Sequence, residues 1–468
     1  MRILCLYDLA QLPANLFLYR LDKSCSFCSL LLISSPNPVS GPWLLERGLL
    51  PDGHWKRKTC RLSMQEIGMK YTDYNHEAEK ELIGRARELR PLLRERAPQF
   101  DANRRICDDV FKELTNAGFW EMASPRRWGG LGTSATAMAR VGAELGKGDP
   151  SVGWVYTVLH GTTWVASLGP DELQEELFGG NAHPTICNAV TPPGVARVVE
   201  GGFIVNGKWA YCSGCRHADW GGFGVKALND EDEVVGNGYV YIPMSEMEIE
   251  DTWHMVGMKG TGSETCVAKD IFVPKNRFFD ITKGIGVHGP DKKHVGEPSD
   301  YWPFMPFLRA TAHGMVVGAA EAMLEMVVDA AQSRPIVYTT YDRQADSAVV
   351  QGDIGRIAAS VSAAKLLMEK TCGILDNVGI TQVPMTPEQR ALSKGEGSFT
   401  VDLLGKAAHD LMYIAGSGAF AESKDISRFW RDLNVGARHT ANLPYVGYEI
   451  LGKSIMGIEP NIAPADFI

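Results

Sequence analysis

The chain has 468 residues, a formal net charge of −9 and ten cysteines. That length exceeds one small core and fits several packed units, and the acidic balance excludes non-specific nucleic-acid binding, which needs a basic surface. Cysteines scattered without a repeated spacing predict mostly reduced thiols in a cytoplasmic protein, and no apolar run reaches the ~18–20 residues of a membrane span.

Residues 1–69 form an atypical leader. No helical or strand period persists in it, yet it holds four of the ten cysteines. It lacks the basic start, single apolar core and small-residue cleavage site of a secretory signal. Cys25 and Cys28 make a lone C-x-x-C, which without a second pair is weak support for zinc. We read the leader as an upstream extension outside the fold, with the start near Met64 or Met69; the competing reading is a true but poorly ordered tail. Truncation before Met69 is then expected to leave the fold and activity intact.

Helices dominate residues 70–182. "NHEAEKELIGRARELRPLLRERA" carries acidic residues early and basic ones late, as a helix dipole prefers. "ICDDVFKELTNAGF" places Ile106, Val110, Phe111 and Leu114 on one face, with Gly118 as its cap. "SATAMARVGAELGKGD" and "SVGWVYTVLHGTTWVASL" read as two more helices, the second apolar nearly all round and so buried. Residues 183–285 then alternate as short strands. "GVARVVEGGFIVNGKWAYCSG" breaks at Gly201-Gly202 and Asn206-Gly207, dipeptides of tight hairpin turns. Residues 286–468 return to helix. Four stretches, "FLRATAHGMVVGAAEAMLEMVVDAAQS", "SAVVQGDIGRIAASVSAAKLLMEKTCGILDNV", "SKGEGSFTVDLLGKAAHDLMYIAGSG" and "NVGARHTANLPYVGYEILGKSIM", predict an antiparallel four-helix bundle.

The segment "WAYCSGCRHADW", Trp209 to Trp220, invites a metal or redox reading. Zinc needs four ligands, and Cys212, Cys215 and His217 supply at most three, with no suitable pair following in sequence. A redox dithiol opens a helix, whereas this pair ends a strand; haem attachment needs C-x-x-C-H, and Arg216 intervenes.

The helix–strand–helix order, with "GFWEMASPRRWGGLG", "WAYCSG", "GMKGTGSETCVAKDIFVP", "FLRATAHGMVVGAA" and "SRFWRDLNV", resembles the acyl-CoA dehydrogenase superfamily over about residues 75–455. The resemblance implies an α+β multidomain fold: an N-terminal helical domain, a central small β-barrel or sandwich and a C-terminal four-helix bundle. It also implies a flavin between the β unit and the bundle, usually in a homotetramer. The dehydrogenases carry a glutamate base soon after the Arg-Asp pair. Here Arg431-Asp432 leads into "LNVGARHTAN", with His439 and no carboxylate. The chain is more similar to the two-component flavin-dependent monooxygenase branch, such as the oxygenase components of p-hydroxyphenylacetate hydroxylase and of secosteroid phenol hydroxylase.

That likeness implies reduced FMN or FAD from a separate NAD(P)H:flavin reductase, since the chain shows no G-x-G-x-x-G after a strand. It implies O2 as co-substrate, a C4a-hydroperoxide on the flavin, and a small aromatic or polycyclic phenol as substrate. By the same resemblance Ser213 hydrogen-bonds the flavin N5 edge, Gly214 lets the backbone approach the ring, and Trp154 lines the flavin pocket. Arg334 and the loop Gly416–Gly418 meet the cofactor's phosphate. His439 handles the phenol proton, with His160 and His313 as the fallback bases. Thr162 and Asn188 stand where relatives carry a substrate-binding His and a Ser, with His160 nearby and Arg309 opening the first bundle helix. Structural roles compete for each: Ser213 as a turn cap, Trp154 as a core aromatic, His439 as a bundle histidine, the arginines as salt-bridge partners. Other activities stay open: oxygenation of nitrogen or sulfur, acyl-CoA dehydrogenation, or an inactive member serving as an assembly partner. No metal, membrane or nucleic-acid partner is expected.

Overall fold

The computed structural model describes residues 73–463 apart from residue 182 and residues 282–295, together with four strands within residues 17–61. Residues Met1–Tyr71 and Thr72–Ile468 form separate compact units.

In the first unit β1 (Phe17–Tyr19), β2 (Leu31–Ser34), β3 (Trp43–Leu49) and β4 (Trp55–Arg61) pair in chain order as an antiparallel meander. No strand period was legible there. The register of β3 with β4 sets Trp43 opposite Arg61 and Leu49 opposite Trp55. Cys25 and Cys28 lie outside the described residues.

The second unit begins with α1 (His76–Asn103), which buries Leu82, Ala86, Leu93, Ala97 and Phe100, a stripe at helical spacing. After α2 (Asp108–Asn116), α3 (Ala135–Gly148) starts on Ser134, whose side chain accepts the Ala137 N–H. Asp149 does the same for Val152 at the start of α4 (Pro150–Ser167), and Pro150 takes the position where no N–H is needed. As its all-round apolar sequence requires, α4 is buried along nearly its whole length. A short α5 (Asp171–Phe178) leads into the sheet.

The β domain comprises β5 (Ile186–Val199), β6 (Gly202–Cys212), β7 (Trp220–Leu228), β8 (Val234–Pro243), β9 (Glu248–Glu250), β10 (Glu264–Pro274) and β11 (Phe278–Asp280). They form one sheet in the order β11-β8-β7-β5-β6-β10-β9, antiparallel except for β5 with β7. Register shifts in β5, β7 and β10 let it bend. Gly201 turns the β5–β6 hairpin at φ 80°. Asn206-Gly207, expected as a turn, instead lies inside β6, paired to Val195 and Ala268. A Cβ on Gly207 would come within 2.4 Å of the Trp209 indole, so this glycine makes room for a buried tryptophan.

The last domain holds α6 (Phe304–Ala331), α7 (Ala348–Thr381), α8 (Pro387–Ala415), α9 (Asp425–Gly436) and α10 (Pro444–Ile455). A capping box between Thr386 and Gln389 starts α8. The fourth predicted helix is not continuous. The chain leaves α9 at Ala437 and re-enters helix at Pro444, and a short turn at Thr440–Asn442 lies between. Proline at the first position of α10 cannot donate to a preceding turn, and the break places His439 in a loop.

Candidate active site

Four segments converge on this break. The β6 strand ends in a turn in which Tyr211 and Gly214 take φ values of 64° and 72°. The Gly214 N–H donates to Thr261 O at 2.9 Å, fastening the turn to the 259–262 loop. A Cβ on Gly214 would lie 3.0 Å from the Val155 side chain of α4, so the backbone of the turn packs directly on that side chain.

Ser213 is buried in this turn. Its Oγ accepts the Trp154 indole N–H at 3.1 Å and lies 2.8 Å from Ser263 Oγ. Ser263 Oγ in turn lies 2.6 Å from Thr261 Oγ1, which donates to Met258 O at 2.8 Å. The Trp154 ring packs 5.3 Å from the His439 ring, centroid to centroid. Ser213, Gly214, Trp154 and His439, scattered over 286 positions of sequence, therefore form one cluster drawn from three domains.

His439 is exposed to solvent. Its Nδ1 accepts the Ala441 N–H at 3.3 Å, so the neutral ring carries its proton on Nε2. Desolvation, and then the charge of Lys394, lowers its pKa below the usual histidine value. Lys394, buried on α8, donates to Ala441 O at 2.7 Å and so holds the same turn. Burial, reinforced by Arg309, brings its pKa down to about 8. His313 Nε2 meets Asn442 Oδ1 at 3.3 Å. Arg309 on α6 is 3% exposed, and none of its three guanidinium nitrogens has a hydrogen-bond partner among the described residues. Burial lowers its pKa to about 9. Lys394 thus stands beside both His439 and His313, and Arg309 beside His313, and no carboxylate perturbs either histidine. Such an electrostatic environment favours negative charge nearby.

The loop before β10 is clasped to α9 by Asp432, whose carboxylate accepts the Met258 N–H at 2.5 Å and the Ser151 hydroxyl at 3.4 Å. Burial and repulsion from Asp149 raise its pKa. This is the Asp of the Arg-Asp landmark in the sequence; its part in joining β domain, α4 and bundle had no local signal.

The other anticipated residues lie elsewhere. Arg334 donates to Ala415 O and, with Gly418, Arg94 and Lys424, lines a separate cavity of about 510 Å³; Gly416 lies against the Arg334 guanidinium. Thr162 donates to Val158 O within α4, and Asn188 is half-buried on β5 opposite Gly222. His160 is buried, its Nδ1–H donating to Tyr156 O at 2.8 Å while Nε2 has no partner among the described residues. Burial lowers its pKa to about 4. An imidazole that resists protonation in the fold but accepts a proton near pH ~6.5 when unfolded contributes stability above that pH and loses it as pH falls toward about 4. The His160→Gln variant should therefore close the stability gap to the parent between pH ~6.5 and ~4.5, read from urea unfolding. A constant gap would show that His160 does not titrate there.

The Cys212–Cys215 segment carries no metal geometry: among the described residues no group of three or more His, Cys, Asp or Glu is placed to hold a metal ion. His217 Nε2–H donates to Ile106 O at 2.9 Å, and its ring stacks on Phe111. Both cysteines are buried, as are Cys187 and Cys266 on the flanking strands β5 and β10. Among the described residues no helix is long and apolar enough to cross a membrane.

This fold and cluster define an acyl-CoA dehydrogenase-like scaffold. Residues 77–182 match the family model "Acyl-CoA dehydrogenase, N-terminal domain" and 310–444 match "Acyl-CoA dehydrogenase, C-terminal domain". The chain is 30% identical to the flavin-dependent monooxygenase oxygenase subunit HsaA of Mycobacterium tuberculosis, over 80% of this chain and 94% of HsaA. It is 28% identical to the oxygenase component of the FADH(2)-dependent resorcinol hydroxylase of Rhizobium sp. strain MTP-10005, over 81% of this chain and 95% of that one. Among solved structures, XiaF from Streptomyces sp., in complex with FADH2 and glycerol, superposes with a TM-score of 0.79 at 28% identity, covering 83% and 98% of the two chains. The chain belongs to the flavin-dependent monooxygenase oxygenase components of the acyl-CoA dehydrogenase fold. It is an oxidoreductase that requires reduced flavin.

Proposed function

We propose that the protein hydroxylates a small aromatic or polycyclic phenol with O2, using reduced flavin delivered by a separate NAD(P)H:flavin reductase. The reading rests on the contiguous Ser213–Trp154–His439 cluster, with the buried cation Lys394 beside it. Relatives named resorcinol hydroxylase and p-hydroxyphenylacetate 3-hydroxylase, both oxygenase components, support the substrate class and the separate reductase. FADH2 in the names of two relatives favours FAD over FMN. The homotetramer that the resemblance implies belongs to this proposal, and apolar side chains left exposed on and after α10, among them Tyr445, Ile455 and Met456, support burial of that surface against another chain.

The residues fit the flavin. Ser213, Gly214 and Trp154 would hold its ring, while Arg334 with Gly416 and Gly418, at the separate cavity, would meet the phosphate of a flavin held across a subunit interface, through a guanidinium fork and backbone N–H groups. Bound there, reduced flavin supplies the electrons that activate O2. The chain's own residues do the rest. Arg309 and Lys394 favour binding of the substrate as its phenolate, the proton having passed to bulk water, which makes the ring carbons more nucleophilic. His439 presents Nε2–H to the phenolic oxygen and holds the developing charge; its Ala441 contact supports this donor role over that of a base. Thr162, Asn188 and His160 would meet the substrate only as the resemblance implies, since the first and last are bonded within α4.

Anaerobically reduced protein mixed with 18O2 and a panel of phenols should yield hydroxylated product carrying one labelled oxygen. Flavin reduction by an acyl-CoA, without oxygen transfer, would overturn the reading. Ser213→Ala should raise hydrogen peroxide released per product while changing flavin affinity little, because one neutral hydrogen bond contributes only about 0.5–1.5 kcal/mol. An unchanged peroxide-to-product ratio would remove Ser213 from the flavin site.

A further inference from the structure

The hydroxyl chain behind Ser213 has one consistent direction. Met258 O is a carbonyl, so Thr261 must donate its only hydroxyl proton to it at 2.8 Å. Ser263, 2.6 Å from Thr261 Oγ1, must then be the donor in that bond, which uses its single proton. Ser213, 2.8 Å from Ser263 Oγ, must in turn donate to Ser263. The Trp154 indole can only donate, and it occupies one Ser213 lone pair at 3.1 Å. Ser213 is left with no proton to offer and one lone pair free. All four side chains are at least nine-tenths buried, so water does not scramble this order.

We infer that Thr261 and Ser263 are positioning residues that make Ser213 an obligate hydrogen-bond acceptor, and that this sorts the redox state of the flavin. The inference rests on the flavin reading above. Reduced flavin bears a proton on N5 and can donate to Ser213. Oxidised flavin has only a lone pair at N5 and meets another lone pair. The site therefore favours the form a reductase delivers and releases the form left after turnover. Neither residue needs to touch the flavin; each acts by fixing the proton of its neighbour.

The test uses the full-length protein with FAD and FMN as probes. Dissociation constants are measured for each flavin oxidised in air and dithionite-reduced under argon, together with the midpoint potential of the bound flavin. In Ser263→Ala the Ser213 proton is released and can turn toward N5 of oxidised flavin. The ratio of oxidised to reduced dissociation constants should fall about two- to tenfold, the worth of one hydrogen bond. The midpoint potential should shift negative by up to about 30 mV. Thr261→Val removes the anchor of the chain, frees Ser263 to donate toward Ser213, and should shift both readouts the same way. Thr261→Ser restores the hydroxyl and should keep the parent ratio.

If Ser263→Ala and Thr261→Val bind flavin with the parent ratio and potential, the inference fails although the flavin site stands. Equal weakening of both redox forms makes the two hydroxyls merely structural and also overturns it. A parent protein that binds neither form overturns the flavin reading itself, a separate outcome. If Ser263→Ala does not fold, Thr261→Val decides.

Discussion

His439→Ala should slow oxygen transfer to a bound phenol by about 10²-fold or more, the usual worth of a positioned proton-handling group. The oxidation of reduced flavin by O2 should change little, since that reaction does not involve the phenolic oxygen. The two events separate on rapid mixing of reduced protein with oxygen and substrate, following flavin absorbance and then quenched product. The loss should be confined to the product step, so more oxygen leaves as hydrogen peroxide. His439→Asn should recover part of the rate, because its amide can donate to a phenolic oxygen where alanine cannot. Product formed at the parent rate in His439→Ala would make His439 a packing partner of Trp154. His313 on α6, held by Asn442 in the same turn, would then be the next group to test.

Arg127→Met should cost the fold about 3–5 kcal/mol, the range for breaking a buried ion pair by removing one partner. Arg127 comes from the "SPRRWGG" stretch, and its side chain is 6% exposed. It bridges Asp300 through both terminal nitrogens at 3.1 Å, reaches Glu297 at 3.3 Å, and donates to Gln174 and to Ser167 O. Asp300 and Glu297 also accept backbone N–H groups. Methionine would leave those interactions in place and strip only the counter-charge and the fork. Two buried carboxylates would then face each other, a larger cost than one lost hydrogen bond. Equilibrium denaturation should show a lower midpoint with an unchanged slope. Arg127→Lys should recover only part, since an ammonium cannot bridge Asp300 in parallel. A loss below about 1 kcal/mol would place the network with exposed ion pairs.

Some of this protein was legible in its sequence because some information is local. The apolar stripe of α1, the all-round apolar α4 and the side-chain caps at Ser134 and Asp149 follow from residue type and spacing alone. Their order, with five short stretches, was enough for the fold and the family. The resemblance also pointed to Ser213, Trp154 and His439, which the fold brings into one cluster.

Tertiary packing decided the rest. Asn206-Gly207 reads as a turn from its dipeptide, but β5 and β10 on either side and the Trp209 ring above it hold it in a strand. The last predicted helix carries a helical period on both sides of Pro444, and only the proline and the His439–Asn442 turn divide it. Cys212 and Cys215 stood alone in sequence, and sheet pairing set buried Cys187 and Cys266 on the strands flanking β6. The unpaired charge of Arg309 and the proton direction through Thr261, Ser263 and Ser213 exist only once distant segments are buried together. Periodicity reports which face of a segment avoids water. Which polar atoms then meet inside, and which must go without a partner, depends on contacts between segments far apart in the chain, and in this protein those contacts set the chemistry of the site.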